Sequence, residues 1–256
     1  SFPVIITCEG LQSLYAYLKA YSKESVLIVA DAVFSDSVMH PDKLITDIIS
    51  EYSCFFLNGG IESKSLSVLS TICDEFFRRS IPRDGLIVAL GGGVVGDIAG
   101  MAASIYQRGI SLIHVPTTAT SMIDSCIGGK TGVNHVNQVN LLGTYYNPRG
   151  VFIDIRFLNT LSHRDLVAGI AEAIKMSLSS DSIMMEWFLT NYKSVLSRDP
   201  ASLMKVISWS VQIKLFHVTS DFKESTTRLL LNYGHTFGQA LESYYGLYQD
   251  FLRHGE

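Results

Sequence analysis

Short apolar runs alternate with helix-spaced apolar positions through the first 160 residues of the chain. VIIT (4 to 7), VLIVAD (26 to 31), CFFL (54 to 57), LIVAL (86 to 90), LIHVP (112 to 116) and VFIDI (151 to 155) are brief and β-rich, so each predicts a strand. Between 66 and 79 the period changes. Leu66, Leu69, Ile72, Cys73 and Phe76 repeat at helical spacing while Asp74, Glu75, Arg78 and Arg79 can face water, and Pro82 and Gly85 end the segment. Strand–helix alternation of this kind predicts βα units on a mostly parallel sheet. After VFIDIRFLNTLS the strand signal stops, and 163 to 179, 182 to 197, 201 to 221 and 226 to 245 all read as helices. The expected fold is α/β: a mostly parallel domain over 1 to 160, then an all-helical domain over 161 to 256, closely packed with a cleft between them. The helical part stops on FLRHGE without a cap and is expected to be incomplete.

The last predicted helix carries an unusual stripe. Arg228, Asn232, His235, Gln239 and Glu242 recur at steps of four, three, four and three, which places them on one helical face. Leu229, Leu230, Phe237, Ala240 and Leu241 fill much of the remaining circumference, so the helix is expected to be largely buried with its polar face lining a wet cavity.

Composition narrows the class. The chain has 256 residues, 47% of them hydrophobic, enough for one large or two ordinary domains. A formal net charge of -4 excludes general affinity for nucleic acid or anionic membrane and leaves room for a local basic pocket taking an acidic small molecule. Cys8, Cys54, Cys73 and Cys126 lack both zinc-ribbon spacing and the density of a disulfide scaffold, so they read as reduced thiols. The N-terminus has no basic flank before an apolar core, and the most apolar region, 86 to 106, is broken by Asp97 and several glycines. A soluble cytoplasmic protein is expected.

Four motifs could carry chemistry. LIVALGGGVVGDIAG sets Gly91, Gly93 and Gly96 between a strand and a helix, as a dinucleotide fingerprint does, but on the fourth strand and without an acidic residue some twenty positions on; a tight turn explains it equally well. DSCIGGKTGVN (124 to 134) is similar to the end of a phosphate-binding loop, yet Asp124 stands where the first glycine belongs. Lys130 with Asp124, Thr131 and Asn134 fits either an anion-binding turn or a solvated loop. In LVAGIAEAIKMSL, Glu172 and Lys175 lie one turn apart among apolar neighbours, and Lys214 in SVQIKLFHV raises the same question of a buried charge against an exposed pair. Glu172, His235 and His254 make up the ligand set of a catalytic zinc, although single histidines on helices commonly serve only as hydrogen-bonded core or surface residues.

In order, GGGVVGD, PTT, DSCIGGKTGVN, AGIAEAIK, LLNYGHTFG and the terminal HGE resemble the 3-dehydroquinate synthase family of sugar phosphate cyclases over nearly the whole chain. The resemblance implies a nucleotide-binding α/β domain followed by a helical one, with the active site between them. It also implies conversion of 3-deoxy-D-arabino-heptulosonate 7-phosphate to 3-dehydroquinate and phosphate, in the shikimate pathway, with NAD regenerated each turnover and zinc, or cobalt in its place, as the metal. Carried over by position, it makes Glu172, His235 and His254 the metal ligands. NAD would lie over Gly93, Val94, Val95, Gly96 and Asp97, with Asp31, Lys64, Thr117, Thr118, Lys130, Phe157, Leu158, Asn159 and Thr160 around it. Asp124, Lys130, Asn140, Lys175, Lys214, Arg228 and Asn232 would hold the substrate, and Arg108 would reach the phosphate site of a second subunit, implying a homodimer.

Three positions depart from the family pattern: Gln239 replaces a second histidine, Val139 a lysine before Asn140, and Ile61 a glutamate in the turn that ends at Lys64. Glutamine cannot shuttle a proton at neutral pH. A sibling cyclase acting on another sugar phosphate, a non-catalytic NAD- or metal-binding relative and a simple polyol dehydrogenase are therefore rival readings.

Overall fold

A computed structural model describes residues 2–35, 43–136, 138–245, 252 and 254–256. The chain forms two compact units, Ser1–Pro116 with Gly129–Asp154, and Thr117–Gly128 with Ile155–Glu256. It therefore enters the second unit twice.

The first unit is built on strands β1 (Val4–Thr7), β2 (Val26–Asp31), β3 (Ser53–Leu57), β4 (Leu86–Gly91) and β5 (Ser111–Pro116), the hairpin strands β6 (Lys130–His135) and β7 (Gln138–Tyr145), and β8 (Gly150–Asp154). Its helices are α1 (Gln12–Leu18), α2 (Lys43–Glu51), α3 (Leu66–Arg78) and α4 (Gly93–Ile105). Six strands form one parallel sheet in the order β1-β8-β5-β4-β2-β3. β2, β4 and β8 are buried at nearly every position, as a sheet covered on both faces requires. Leu69, Ile72 and Phe76 of α3 pack with Ile98, Ala99 and Ala102 of α4 against Leu27, Val29 and Ile87 of the sheet. Glu75 is buried rather than facing water, because Arg78 and Arg79 both pair with its carboxylate. Leu66, expected in the core, is 42% exposed at the first turn of its helix.

The antiparallel pair β6–β7 escapes the sequence pattern, since KTGVNH and QVNLLGTY show no clean alternation and Gly132 and Gly143 face each other in register. Closeness explains the glycines. A Cβ on Gly143 would lie 2.3 Å from the Thr131 carbonyl oxygen, and one on Gly132 would lie 2.7 Å from that of Leu142.

The second unit holds α5 (His163–Ser180), α6 (Ser182–Leu196), α7 (Pro200–Ser220) and α8 (His235–Tyr245). Ser162, Asp181 and Asp199 cap the first three through their side chains, and Pro200 opens α7 where its missing N–H costs nothing. The predicted continuous helix over 226 to 245 is not what forms. Thr227–Asn232 winds as a 3-10 helix, Gly234 takes a left-handed φ of 82°, and α8 starts only at His235. The break ends the single polar face, and its apolar companions are not buried: Leu229, Leu230, Phe237 and Leu241 are at least half exposed among the described residues.

Phe76 is fully buried and meets Tyr106 edge-on at 5.2 Å. Phe76→Ala should cost about 3–5 kcal/mol, read as a lower urea midpoint with an unchanged slope; a loss under about 1 kcal/mol would mean that this core is not packed as described.

Candidate functional site

In the first unit the connection after β2 leads outward to β3 while that after β4 leads the other way to β5, so a topological switch point lies between neighbouring β2 and β4. Asp31 ends β2 there, and Gly91 ends β4. A Cβ on Gly91 would lie 2.7 Å from Val95 Cγ2, so this turn admits only glycine. Gly92, the N-cap of α4, has no side chain to cap the first amides of this 13-residue helix, and an uncapped helix start is a place where an anion can bind. One turn on, Asp97 accepts from the buried Lys64 ammonium, which also donates to Asn140 Oδ1. Asn134 holds this group together. Its N–H donates to the Lys64 carbonyl at 2.8 Å, and its Oδ1 accepts the N–H of Asn140 at 2.9 Å, where φ is 57°. A glycine turn at a helix N-terminus beside a topological switch point, with an acid at the end of the neighbouring strand, fits a dinucleotide. Lys130 lies exposed at the start of β6, and Arg108 is exposed in a left-handed turn with Gln107 and Gly109.

In the second unit, Gly169 decides how closely α5 approaches the entering segment. A Cβ there would lie 2.4 Å from Ala119 Cβ and 2.5 Å from the Thr120 nitrogen. Thr118, just before, bonds Ser121 Oγ through its hydroxyl at 2.9 Å, and Thr117 is buried. The π-helical turn Ser121–Ser125 that follows carries Asp124 to two lysines. Asp124 Oδ1 accepts from Lys214 Nζ at 2.6 Å and lies 3.8 Å from Lys175 Nζ, while Lys175 also donates to Glu172. Burial pushes the Lys214 pKa down, and Asp124 opposes it. The buried alternative for both lysines thus prevails over an exposed surface pair.

Arg228 is only 1% exposed. Its Nη1 donates to the carbonyls of Phe222 at 2.7 Å and Gly128 at 3.1 Å. Gly128, at φ 105°, leaves room for that guanidinium, since a Cβ would lie 2.3 Å from Nη2. Asn232 donates to Glu224. Leu158 is fully buried in the 3-10 turn Ile155–Asn159, whose Phe157 carbonyl accepts from Thr160 and whose Asn159 carbonyl accepts from Arg198 at 2.8 Å.

Glu172, His235 and His254 converge from α5, α8 and the segment after it, with one ligand atom of each within 4.8 Å of the others. His254 Nδ1 meets Glu242 Oε1 at 2.9 Å, which turns Nε2 toward Glu172 Oε1 at 3.3 Å. A carboxylate behind a histidine is the arrangement that orients metal-binding imidazoles. Burial, then Lys175, lowers the His235 pKa, keeping that imidazole neutral. Burial of Glu172 favours its neutral form, but His254 and Lys175 outweigh it and hold the carboxyl below its ordinary range. One carboxylate and two imidazoles fit a divalent cation such as zinc or cobalt. A cavity of about 220 Å³ opens beside them, lined by Lys175, Tyr233 and Leu241 among others. The side chain of Gln239 lies outside the described residues.

Sequence reasoning missed Asp221. Its carboxylate accepts the backbone N–H groups of Ser225, Thr226 and Arg228 at 3.0, 2.6 and 3.2 Å, and so shapes the turn that delivers Arg228. The N–H of Ser225, with those of Thr226 and Arg228, holds its pKa well below the usual carboxylate range. An Asp at the end of α7 with Ser and Thr four and five positions later was the available signal. The role of Glu242 behind His254 had no signal beyond its place on the stripe.

A family model for the N-terminal part of 3-dehydroquinate synthase matches residues 54–168, and one for its C-terminal part matches residues 169–256. The 3-dehydroquinate synthase of Teredinibacter turnerae is 41% identical over 256 residues, covering 100% of this chain and 70% of that relative. Among solved structures, a 2-epi-5-epi-valiolone synthase of Streptomyces hygroscopicus subsp. jinggangensis with NAD+ and Zn2+ bound superposes with a TM-score of 0.87 at 30% identity, covering 100% of this chain and 71% of that one. A 2-deoxy-scyllo-inosose synthase complexed with carbaglucose-6-phosphate, NAD+ and Co2+ gives a TM-score of 0.80 at 29% identity, covering 99% and 70%.

Hydrogen bonds to Glu172, then to Glu242, push the His254 pKa up to about 10, so the metal-free site holds that proton at neutral pH. A ligating imidazole must give it up. Zinc binding near pH 7.5 should therefore expel about one proton, and affinity should rise with pH until the imidazolium titrates away. Calorimetry in buffers of different ionisation enthalpy checks this, and a binding enthalpy independent of buffer would contradict it.

Proposed function

The chain belongs to the 3-dehydroquinate synthase family, and on that premise we propose that it converts 3-deoxy-D-arabino-heptulosonate 7-phosphate to 3-dehydroquinate and phosphate, as an NAD- and zinc-dependent carbon-oxygen lyase of the shikimate pathway. The observation that carries this reading is the approach of Glu172, His235 and His254 to within 4.8 Å of one another, with Lys175 bonded to the same Glu172.

A bound NAD would supply the hydride acceptor, and a cation held by Glu172, His235 and His254 would supply a Lewis acid for the oxygen on the carbon being oxidised. The chain supplies the rest. Lys175 and Lys214 offer two cations to a substrate bearing a carboxylate and a phosphate, and Asp124 between them keeps both oriented until that substrate arrives. Burial makes the Lys214 charge depend on an anionic neighbour, so a bound anion strengthens the ammonium form. In the second unit Arg228 and Asn232 complete the substrate set. In the first, Asp31, Lys64 and Gly93 to Asp97 are the residues for NAD. Arg108, exposed in its strained turn, reaches a second copy in a homodimer. Four free thiols among the described residues support a cytoplasmic setting.

The likeness to the two sibling cyclases favours a second reading, in which the same site closes the ring of a different sugar phosphate. Phosphate release with each candidate sugar, NAD and zinc separates the two. The expected result is phosphate from 3-deoxy-D-arabino-heptulosonate 7-phosphate without net NADH. Turnover of another sugar alone would select the sibling reading, and accumulating NADH would select a dehydrogenase. Gln239→His should be at least as active as the parent chain, because it adds a titratable group to the proton-transfer step. Lys214→Met should lower kcat/KM by about a hundredfold with zinc content unchanged; an equal kcat/KM would remove Lys214 from the substrate site.

A further inference from the structure

His254, Gly255 and Glu256 run antiparallel along one face of α5, each meeting a different turn. Arg164, Ala168 and Glu172 are four residues apart and share that face. His254 Nε2 is 3.3 Å from Glu172 Oε1. Gly255, at φ 96°, lies so close to the helix that a Cβ would be 2.2 Å from the Ala168 carbonyl oxygen. Glu256 closes the register with a two-pronged pair: Arg164 Nε donates to Oε1 and Nη2 donates to Oε2, both at 2.6 Å.

The spacing shows why the pair has to be long. Four helical residues rise about 6 Å, whereas one extended residue spans about 3.4 Å, so three consecutive residues cannot match three turns through backbone contacts alone. Gly255 fixes the middle of the segment against the helix, and the reach of the arginine and glutamate side chains makes up the difference at one end. His254 is then presented at the other end, where Glu242 sets its ring by accepting at Nδ1.

We propose that Arg164 and Glu256 are positioning residues of the metal centre, a register latch that holds His254 Nε2 at bonding distance from the cation shared with Glu172 and His235. The inference rests on the metal-binding reading above and concerns residues that touch neither cation nor substrate. Both side chains of the pair are partly exposed, and an ion pair of that kind adds little to global stability. Its effect should therefore appear in the geometry of the third ligand and not in the folding of the chain. Two parallel hydrogen bonds fix angle as well as distance, which a lysine in place of Arg164 would not do.

The test uses the full chain and two metals. Zinc affinity is measured by competition with a chromophoric chelator, and the Co2+ absorption spectrum reports ligand geometry. Glu256→Gln and Arg164→Lys should each weaken zinc binding by about 10- to 100-fold and alter the cobalt spectrum, while the melting temperature of the metal-free chain shifts by less than about 2 °C. The reversed pair, Arg164→Glu with Glu256→Arg, should recover most of the lost affinity. Zinc affinity and cobalt spectra matching the parent in both single variants would overturn the latch and leave the metal site standing. A parent chain that binds neither zinc nor cobalt would overturn the metal reading itself. Should Arg164→Lys fold poorly, Glu256→Gln, which keeps the shape of the side chain but offers Arg164 one acceptor in place of two, decides the matter alone.

Discussion

Two ammonium groups buried on neighbouring helices, Lys175 and Lys214, each meet a carboxylate, Lys175 that of Glu172 and Lys214 that of Asp124. An unpaired buried cation would lose its proton or unfold its surroundings. This requirement organises the second unit. Asp124 has to arrive from a distant part of the chain, so Thr117–Gly128 leaves the parallel-sheet unit to join the helices. Gly169 has to lack a side chain for that segment to approach α5, and Gly128 has to lack one for the Arg228 guanidinium to sit beside it. The network is then self-consistent, with Glu172 answering Lys175 on one side and His254 on the other.

A second carboxylate organises the backbone rather than the charges. Asp221 collects three amide donors at the end of α7, and the chain leaves that turn as a 3-10 helix instead of continuing toward Tyr245 as one α-helix. The left-handed Gly234 then redirects it, so that His235 begins α8 beside Glu172 and not on a shared stripe with Arg228. In the first unit the same economy is seen at Asn134, which ties the β6–β7 hairpin to the Lys64 segment and thereby sets Asn140 on the lysine that Asp97 also holds.

Much of this architecture was legible from periodicity. The six parallel strands fall within about one or two residues of the runs that predicted them, and α3, α5, α6 and α7 follow the expected helical segments. Strands buried on both faces write themselves as apolar runs, and capped amphipathic helices carry their own start and stop signals. The hairpin over 130 to 145 was silent because its glycines serve backbone contact and its β7 side chains are largely exposed, so no alternation marks it. The helix over 226 to 245 was misread for the opposite reason: local propensity favoured continuation, while Asp221 competed for its first amides from outside the segment.

The amino-acid order by itself determined the class of fold and the residue types able to hold a cation or an anion, because these follow from local periodicity and side-chain chemistry. Which charges meet was settled only by tertiary structure. Asp124 is ninety positions from Lys214, and His254 reaches Glu172 across a gap of eighty-two, so neither pairing leaves a trace in local pattern. Burial, which turns those meetings from optional surface contacts into necessities, exists only once the helices have packed.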